Sequence, residues 1–223
     1  MAYNDGKIHN DFYEDSENLE KIALEFSEGN LLLASTLLTL WKNGIKTHGC
    51  CNGHENNPTS YLSIEIDNNS RNIINNMCEN LSGFDGVVVH FNYFVKENVD
   101  IFSIDMPVSI RDEVLTFLSN NINMTLNDEQ NNRVLYSKFL MDIAHKKSID
   151  LQYIVASNGE QAFSFGPPAF IDDFPSVDEA IESLKQENSF ELSTYLCTDE
   201  SLEEFIGLIY KSSPFNKNVQ SRK

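Results

Sequence analysis

Apolar and polar residues along this chain recur with two periods, one helical and one alternating, and the changes between them mark its elements. Ser16 is placed to cap a helix over residues 18–26. After Glu28-Gly29-Asn30 comes a second helix in which Leu31, Leu32, Leu33, Leu37, Leu38, Leu40 and Trp41 are apolar almost all round. Such a helix buries more than one face. Asn43-Gly44 ends it, since glycine accepts the left-handed conformation beyond a helix C-cap. A short strand over Thr47–Cys51 is expected next, and Tyr61 to Ile66 alternates like a strand with one buried side. Asn68-Asn69-Ser70 then caps a helix of about 71–81, with Ile73, Ile74, Met77, Cys78 and Leu81 at helical spacing. Val87–Val95 and Ile101–Asp105, joined by Lys96-Glu97-Asn98, read as a hairpin, and a helix over 109–120 follows. The order β-α-β-β-α predicts an α+β fold: an antiparallel or mixed sheet with helices packed on one face, a two-layer sandwich.

The second half repeats this alphabet. A polar connector leads to a long helix, residues 128–147, whose basic end at Lys146-Lys147 complements the helix dipole. Leu151–Ala156 and Gln161–Phe165 flank Ser157-Asn158-Gly159, a strong hairpin-turn signal, and Gly166-Pro167-Pro168 stops the pair. Ser176 to Glu179 is a capping box opening a helix to Gln186, 189–197 is strand-like, and Ser201 to Glu204 is a second box opening a last helix to Lys211. The expected organisation is a mobile N-terminus (1–17), an α+β unit (18–121), an acidic α+β second half or subdomain (128–211) and a mobile basic tail (212–223).

Charge sharpens the picture. The formal net charge is −18. Thirteen of the 34 acids lie in residues 150–205, where Lys185 is the single base. Such a chain repels phosphate backbones, so nucleic-acid binding is not expected. No apolar run approaches the ~18 residues of a membrane span. The four cysteines are too few and too irregular for a secreted disulfide framework, so a cytoplasmic location is expected. Asp172, Asp173, Asp178, Glu179 and Glu182, interleaved with Phe163, Phe165, Phe170, Phe174 and Phe190, suggest an acidic face for a protein partner with a basic surface. On that reading the chain is a non-enzymatic interaction or inhibitor protein of the immunity or anti-defence type.

The alternative centres on His48-Gly49-Cys50-Cys51-Asn52-Gly53-His54, which places two thiols and two imidazoles in seven residues. Cys51 and His54, three apart, suit a turn that brings both to one zinc ion. His48 or Cys50 could add a third ligand, but no second Cys or His pair follows to close a four-ligand site, so no resident cofactor and only substoichiometric metal are expected. For an enzyme the catalytic group is Cys50 or Cys51 with His54, since a nearby imidazolium raises the thiolate fraction. Thr47, His48, Asn52, Glu55 and His90 are then candidate ligand-binding residues. His90 lies on the less apolar side of its strand, with Val88 and Asn92. Cys50 and Cys51 should face opposite sides of theirs. Phosphate-binding glycine loops, a serine nucleophile elbow and meaningfully spaced carboxylate pairs are absent from the sequence.

Residues 24–66 resemble small uncharacterised bacterial and phage-associated proteins carrying a Gly-Ile-x-Thr pattern followed by Cys-x-Gly-His. The matching residues are Gly44-Ile45-Lys46-Thr47 and Cys51-Asn52-Gly53-His54, after Glu25 to Gly29 and the leucine-rich helix. That resemblance implies no particular activity. The same segment is faintly similar to the Ser-Cys-Ser-Gly-Arg run of the wybutosine-synthesis methyltransferase, with Cys50 in place of Ser and His54 in place of Arg; the acidic charge argues against its tRNA substrate.

Overall fold

The computed structural model describes residues 18–56, 58–122, 131–166, 176–187 and 194–212. Within them lie helices α1 (Leu19–Phe26), α2 (Leu31–Lys42), α3 (Arg71–Asn80), α4 (Arg111–Asn121), α5 (Asn132–Lys147), α6 (Val177–Glu187) and α7 (Asp199–Ser212). The strands are β1 (Thr47–Cys51), β2 (Thr59–Glu65), β3 (Val88–Phe94), β4 (Val99–Pro107), β5 (Leu151–Ala156), β6 (Gln161–Phe165) and β7 (Thr194–Cys197). All seven strands join one antiparallel sheet in the order β1-β2-β4-β3-β5-β6-β7. The fold is α+β, and both halves of the chain share this sheet through the β3–β5 pairing.

Alternation assigns the two faces. Leu62 and Ile64 of β2, Phe102 and Ile104 of β4, Val89 and Phe91 of β3, Tyr153 and Val155 of β5, and Phe163 of β6 are buried against the helices. Leu33, Leu37 and Leu40 of α2, Leu115 and Leu118 of α4, and Leu140 of α5 complete that core. Phe91 sits at its centre, with ring centroids 5.0 Å from Phe102 and 5.8 Å from Tyr153. Truncating it to alanine should cost about 3–5 kcal/mol, because the sheet cannot collapse into the void. The other face carries Tyr61, Ser63, Glu65, Ser103, Asp105, Val88 and His90. Ser63 and Ser103 join their hydroxyls across it at 2.7 Å.

Local chemistry fixes the elements that carry the site. Asn30 caps α2, its side-chain oxygen accepting from the Leu33 N–H at 2.9 Å. Gly44 ends that helix at φ +73°, and Trp41 Nε1 donates to Thr47 Oγ1 at 2.9 Å, tying α2 to β1. A register shift between Thr47 and Gly49 re-aims the remainder of β1, the edge strand of the sheet.

Some boundaries differ from those predicted. The described part of the long helix begins at Asn132, capped by Asn131, and the expected first turn at 128–130 lies outside the described residues. The last helix begins at Asp199 rather than Ser201, because the capping box is Thr198 with Ser201. The Thr198 N–H donates to Ser201 Oγ at 2.9 Å and the Ser201 N–H donates to Thr198 Oγ1 at 3.2 Å. Expected strand residues 189–193, the two termini, Pro167 and Pro168 also lie outside the described residues.

Candidate functional site

The two adjacent thiols face opposite sides of β1. Cys50 aligns with core residue Leu62, and its thiol donates to the Phe26 carbonyl at 3.3 Å. Burial, reinforced by neighbouring Cys51 and Glu28, pushes its pKa up to about 12, so it stays a protonated packing group. Cys51 aligns with Tyr61 on the far face, at the end of the edge strand. Its Sγ lies 3.5 Å from His54 Nε2 and accepts from the Gly53 N–H at 3.4 Å. The turn that achieves this needs glycine: Gly53 has φ +84°, and a Cβ there would collide with Val108 and approach the Thr59 carbonyl to 3.4 Å.

A carboxylate completes the group. Glu28, itself left-handed at φ 55°, leaves the end of α1 and brings Oε1 to 3.6 Å from His54 Nε2. One donor atom each from Glu28, Cys51 and His54 therefore falls within 4.8 Å of the others. The turn is held from below by a clamp. Arg111 Nη1, from the first residue of α4, donates to the Asn52 carbonyl at 3.0 Å and to its Oδ1 at 2.6 Å. Asn30 Nδ2 donates to the same Oδ1 at 2.7 Å while its own oxygen caps α2. Two helices that meet only in the fold, α2 through its cap and α4 through its first residue, are locked onto one loop residue.

No family model, curated protein or solved structure matches this chain.

Both the thiol and the carboxylate address Nε2 of His54. In a Cys-His-acid triad the acid holds the opposite ring nitrogen, so that the imidazole relays a proton between two partners. Convergence of a thiol and a carboxylate on one nitrogen does not match that relay and is compatible with three groups around a shared ion. Tetrahedral zinc with bonds of about 2.3 Å to sulfur and about 2.0–2.1 Å to nitrogen and oxygen has edges of about 3.6 Å (S···N) and about 3.4 Å (N···O). The corresponding separations here are 3.5 and 3.6 Å.

The other candidates from the sequence lie elsewhere. Thr47 is buried beneath Trp41. His48 turns to Glu65, with Nε2 and Oε1 3.2 Å apart, and Lys46 holds the other oxygen of that carboxylate at 3.1 Å. Asn52 supports the turn, and Glu55 is exposed. His90 lies three strands from β1 in the sheet, its Nε2 3.2 Å from Asp105 Oδ2. Asp178, Glu179 and Glu182 are exposed on α6, whereas Asp172 and Asp173 lie outside the described residues. Lys185 spans Glu182 and Glu204, at 3.1 and 3.0 Å. Phe163 and Phe165 are core; Phe170, Phe174 and Phe190 lie outside the described residues. Glu28, Asn30 and Arg111 were not among the candidates. Arg111 carried the one available signal, as one of 16 bases against 34 acids, two positions into a predicted helix.

Proposed function

We propose that this chain binds a thiophilic divalent metal, zinc foremost, through Glu28, Cys51 and His54, leaving a further coordination position for an exogenous ligand or substrate. The observation that supports it is a sulfur, a nitrogen and an oxygen within 4.8 Å of one another, with S···N and N···O separations of 3.5 and 3.6 Å close to tetrahedral edges. A thiolate, an imidazole and a carboxylate make a borderline-soft donor set suited to zinc. Three protein ligands and an open position are the pattern of zinc sites that act on a bound water or ligand rather than those that only staple a fold. His54 and Glu28 are well exposed, so a small molecule reaches that position from solvent.

Zinc titration followed by competition with a chromophoric chelator tests the proposal. One ion per chain should bind, with affinity lost in Cys51→Ser and in His54→Ala and reduced in Glu28→Gln. Wild-type affinity in Cys51→Ser would remove the site. Because the metal binds the folded state, saturation at ~100 Kd should add about 2.7 kcal/mol of stability.

An acidic docking face for a basic protein partner is the second reading, supported by the exposure of Asp178 and Glu179 at the start of α6. Reversing both charges should slow association with such a partner, most strongly at low salt. An unchanged on-rate would exclude α6 from the interface.

A further inference from the structure

The open face of the sheet places a second feature in line with the candidate metal site. Cys51 of β1 aligns with Tyr61 of β2, Tyr61 with Asp105 of β4, and Asp105 with Val88 of β3, so all four side chains emerge on one row of one face. A cleft of about 470 Å³ opens at the Asp105 end, bounded by Pro58, Thr59, Val88, Pro107 and Val108. Val108 is also the residue that Gly53 packs against, so the ligand-bearing turn and the cleft share a wall. The cleft is apolar apart from backbone, hydroxyls and one charge, the carboxylate of Asp105.

Asp105 is addressed from the sheet by His90, whose Nε2 lies 3.2 Å from Oδ2. That contact is not a formed hydrogen bond, and both His90 ring nitrogens are shut off from solvent without a hydrogen-bond partner. Asp105 itself is 40% exposed, and among the described residues His90 is its one ion-pair partner. The cleft thus offers an acceptor for a cation and apolar walls for the chain that carries it. Two strand spacings separate Cys51 from Asp105, about 10 Å at ~4.8 Å per strand. Between them on that row stands Tyr61, partly exposed, with its ring against Gly49 of β1.

We infer that the ligand of the metal site is a small aliphatic ammonium compound. Its ammonium seats on Asp105, its alkyl chain crosses Tyr61, and a carboxylate or similar donor at its other end takes the open position on the metal. This rests on the metal reading for the carboxylate end alone; the ammonium seat stands on the cleft.

Binding of four probes, measured by calorimetry on the full chain with and without zinc, separates the two. Hexylammonium should bind metal-free protein more tightly than hexanol, and Asp105→Asn should abolish the difference while Glu79→Gln, an exposed acid on α3, leaves it intact. With zinc present, ε-aminocaproate should exceed both hexylammonium and hexanoate by at least about tenfold, since joining two binding groups raises the effective concentration of the second. Cys51→Ser should remove the zinc-dependent gain and spare the ammonium preference. Equal binding of hexylammonium and hexanol, or a preference that survives Asp105→Asn, would overturn the inference. A preference that persists with no zinc-dependent gain would instead sink the metal reading.

Discussion

Replacing Arg111 by methionine removes the clamp without touching any proposed metal ligand. The side chain is 15% exposed, and one of its nitrogens serves both oxygens of Asn52. Hydrogen bonds from a charged donor are worth about 1.5–3 kcal/mol each. These two share one nitrogen, and Asp112 at 2.8 Å already draws on the same guanidinium, so the loss should not exceed the lower end of the two-bond sum, and about 2–3 kcal/mol is expected. The greater consequence lies one shell outward. Freed of Arg111, the Asn52 carbonyl no longer holds the Cys51–His54 turn, and zinc affinity should fall by ~10–100-fold, as when outer-shell partners are removed from other metal sites. Asn30→Asp is the companion variant. It keeps an oxygen to cap α2, but turns the donor that reaches Asn52 into a carboxylate facing another oxygen. Helix stability should be retained and zinc affinity lowered. Urea unfolding in chelator measures the first quantity, and zinc competition measures the second. Full zinc affinity in Arg111→Met, with the expected loss of stability present, would refute the view that the clamp positions the turn.

Three further outcomes follow from the same geometry. Cys51 should be alkylated well before Cys50, Cys78 and Cys197, whose thiols burial holds protonated at pKa values pushed up to about 12, and zinc should protect it; mass mapping after a short pulse of iodoacetamide reports the order. Those raised values make the fold sensitive to alkali. Unfolded thiols ionise from about pH 9 whereas the folded ones do not, so the unfolded state binds fewer protons and stability should fall as pH rises from 9 towards 12. Cys78→Ala should lessen that slope in urea titrations, and an unchanged slope would discount the buried thiol. Gly53→Ala, forced into a left-handed conformation against Val108, should lose about 1–2 kcal/mol and most zinc affinity, while Gly159→Ala, with open space around it, should leave zinc affinity untouched.

Much of the fold was legible because its strongest segments are locally unambiguous. The all-round apolar α2 and the Asn-Gly hairpin of β5 and β6 need no tertiary information to be recognised. The strand alternation that separates Cys50 from Cys51 is equally local. The end of the chain was less transparent: two capping boxes overlap there, and Thr198 prevails because its hydroxyl and that of Ser201 satisfy each other's backbone. The site was half visible. Cys51 and His54 are neighbours in sequence, whereas Glu28 reaches them only because α1 ends beside the edge strand, where Phe26 accepts the Cys50 thiol. Arg111 arrives from another helix altogether. Periodicity says which side of an element faces inward, and it carries nothing about which two outward-facing loops will meet.

The junction between β3 and β5 has a consequence for how the protein tolerates division. Six aligned pairs, from Val88 with Ala156 to Tyr93 with Leu151, join the first four strands to the last three. Each half therefore serves as the other's edge protection. Separated, either one presents a long strand flanked by aromatic and β-branched residues, Phe91 and Tyr93 on one side and Tyr153 and Val155 on the other, the kind of bare edge that recruits copies of itself. Fragments cut between α4 and α5 would be poor solitary molecules but matched halves. Produced together, they have a templated seam along which to anneal, and the same seam would fuse two whole chains crosswise wherever synthesis leaves one half waiting.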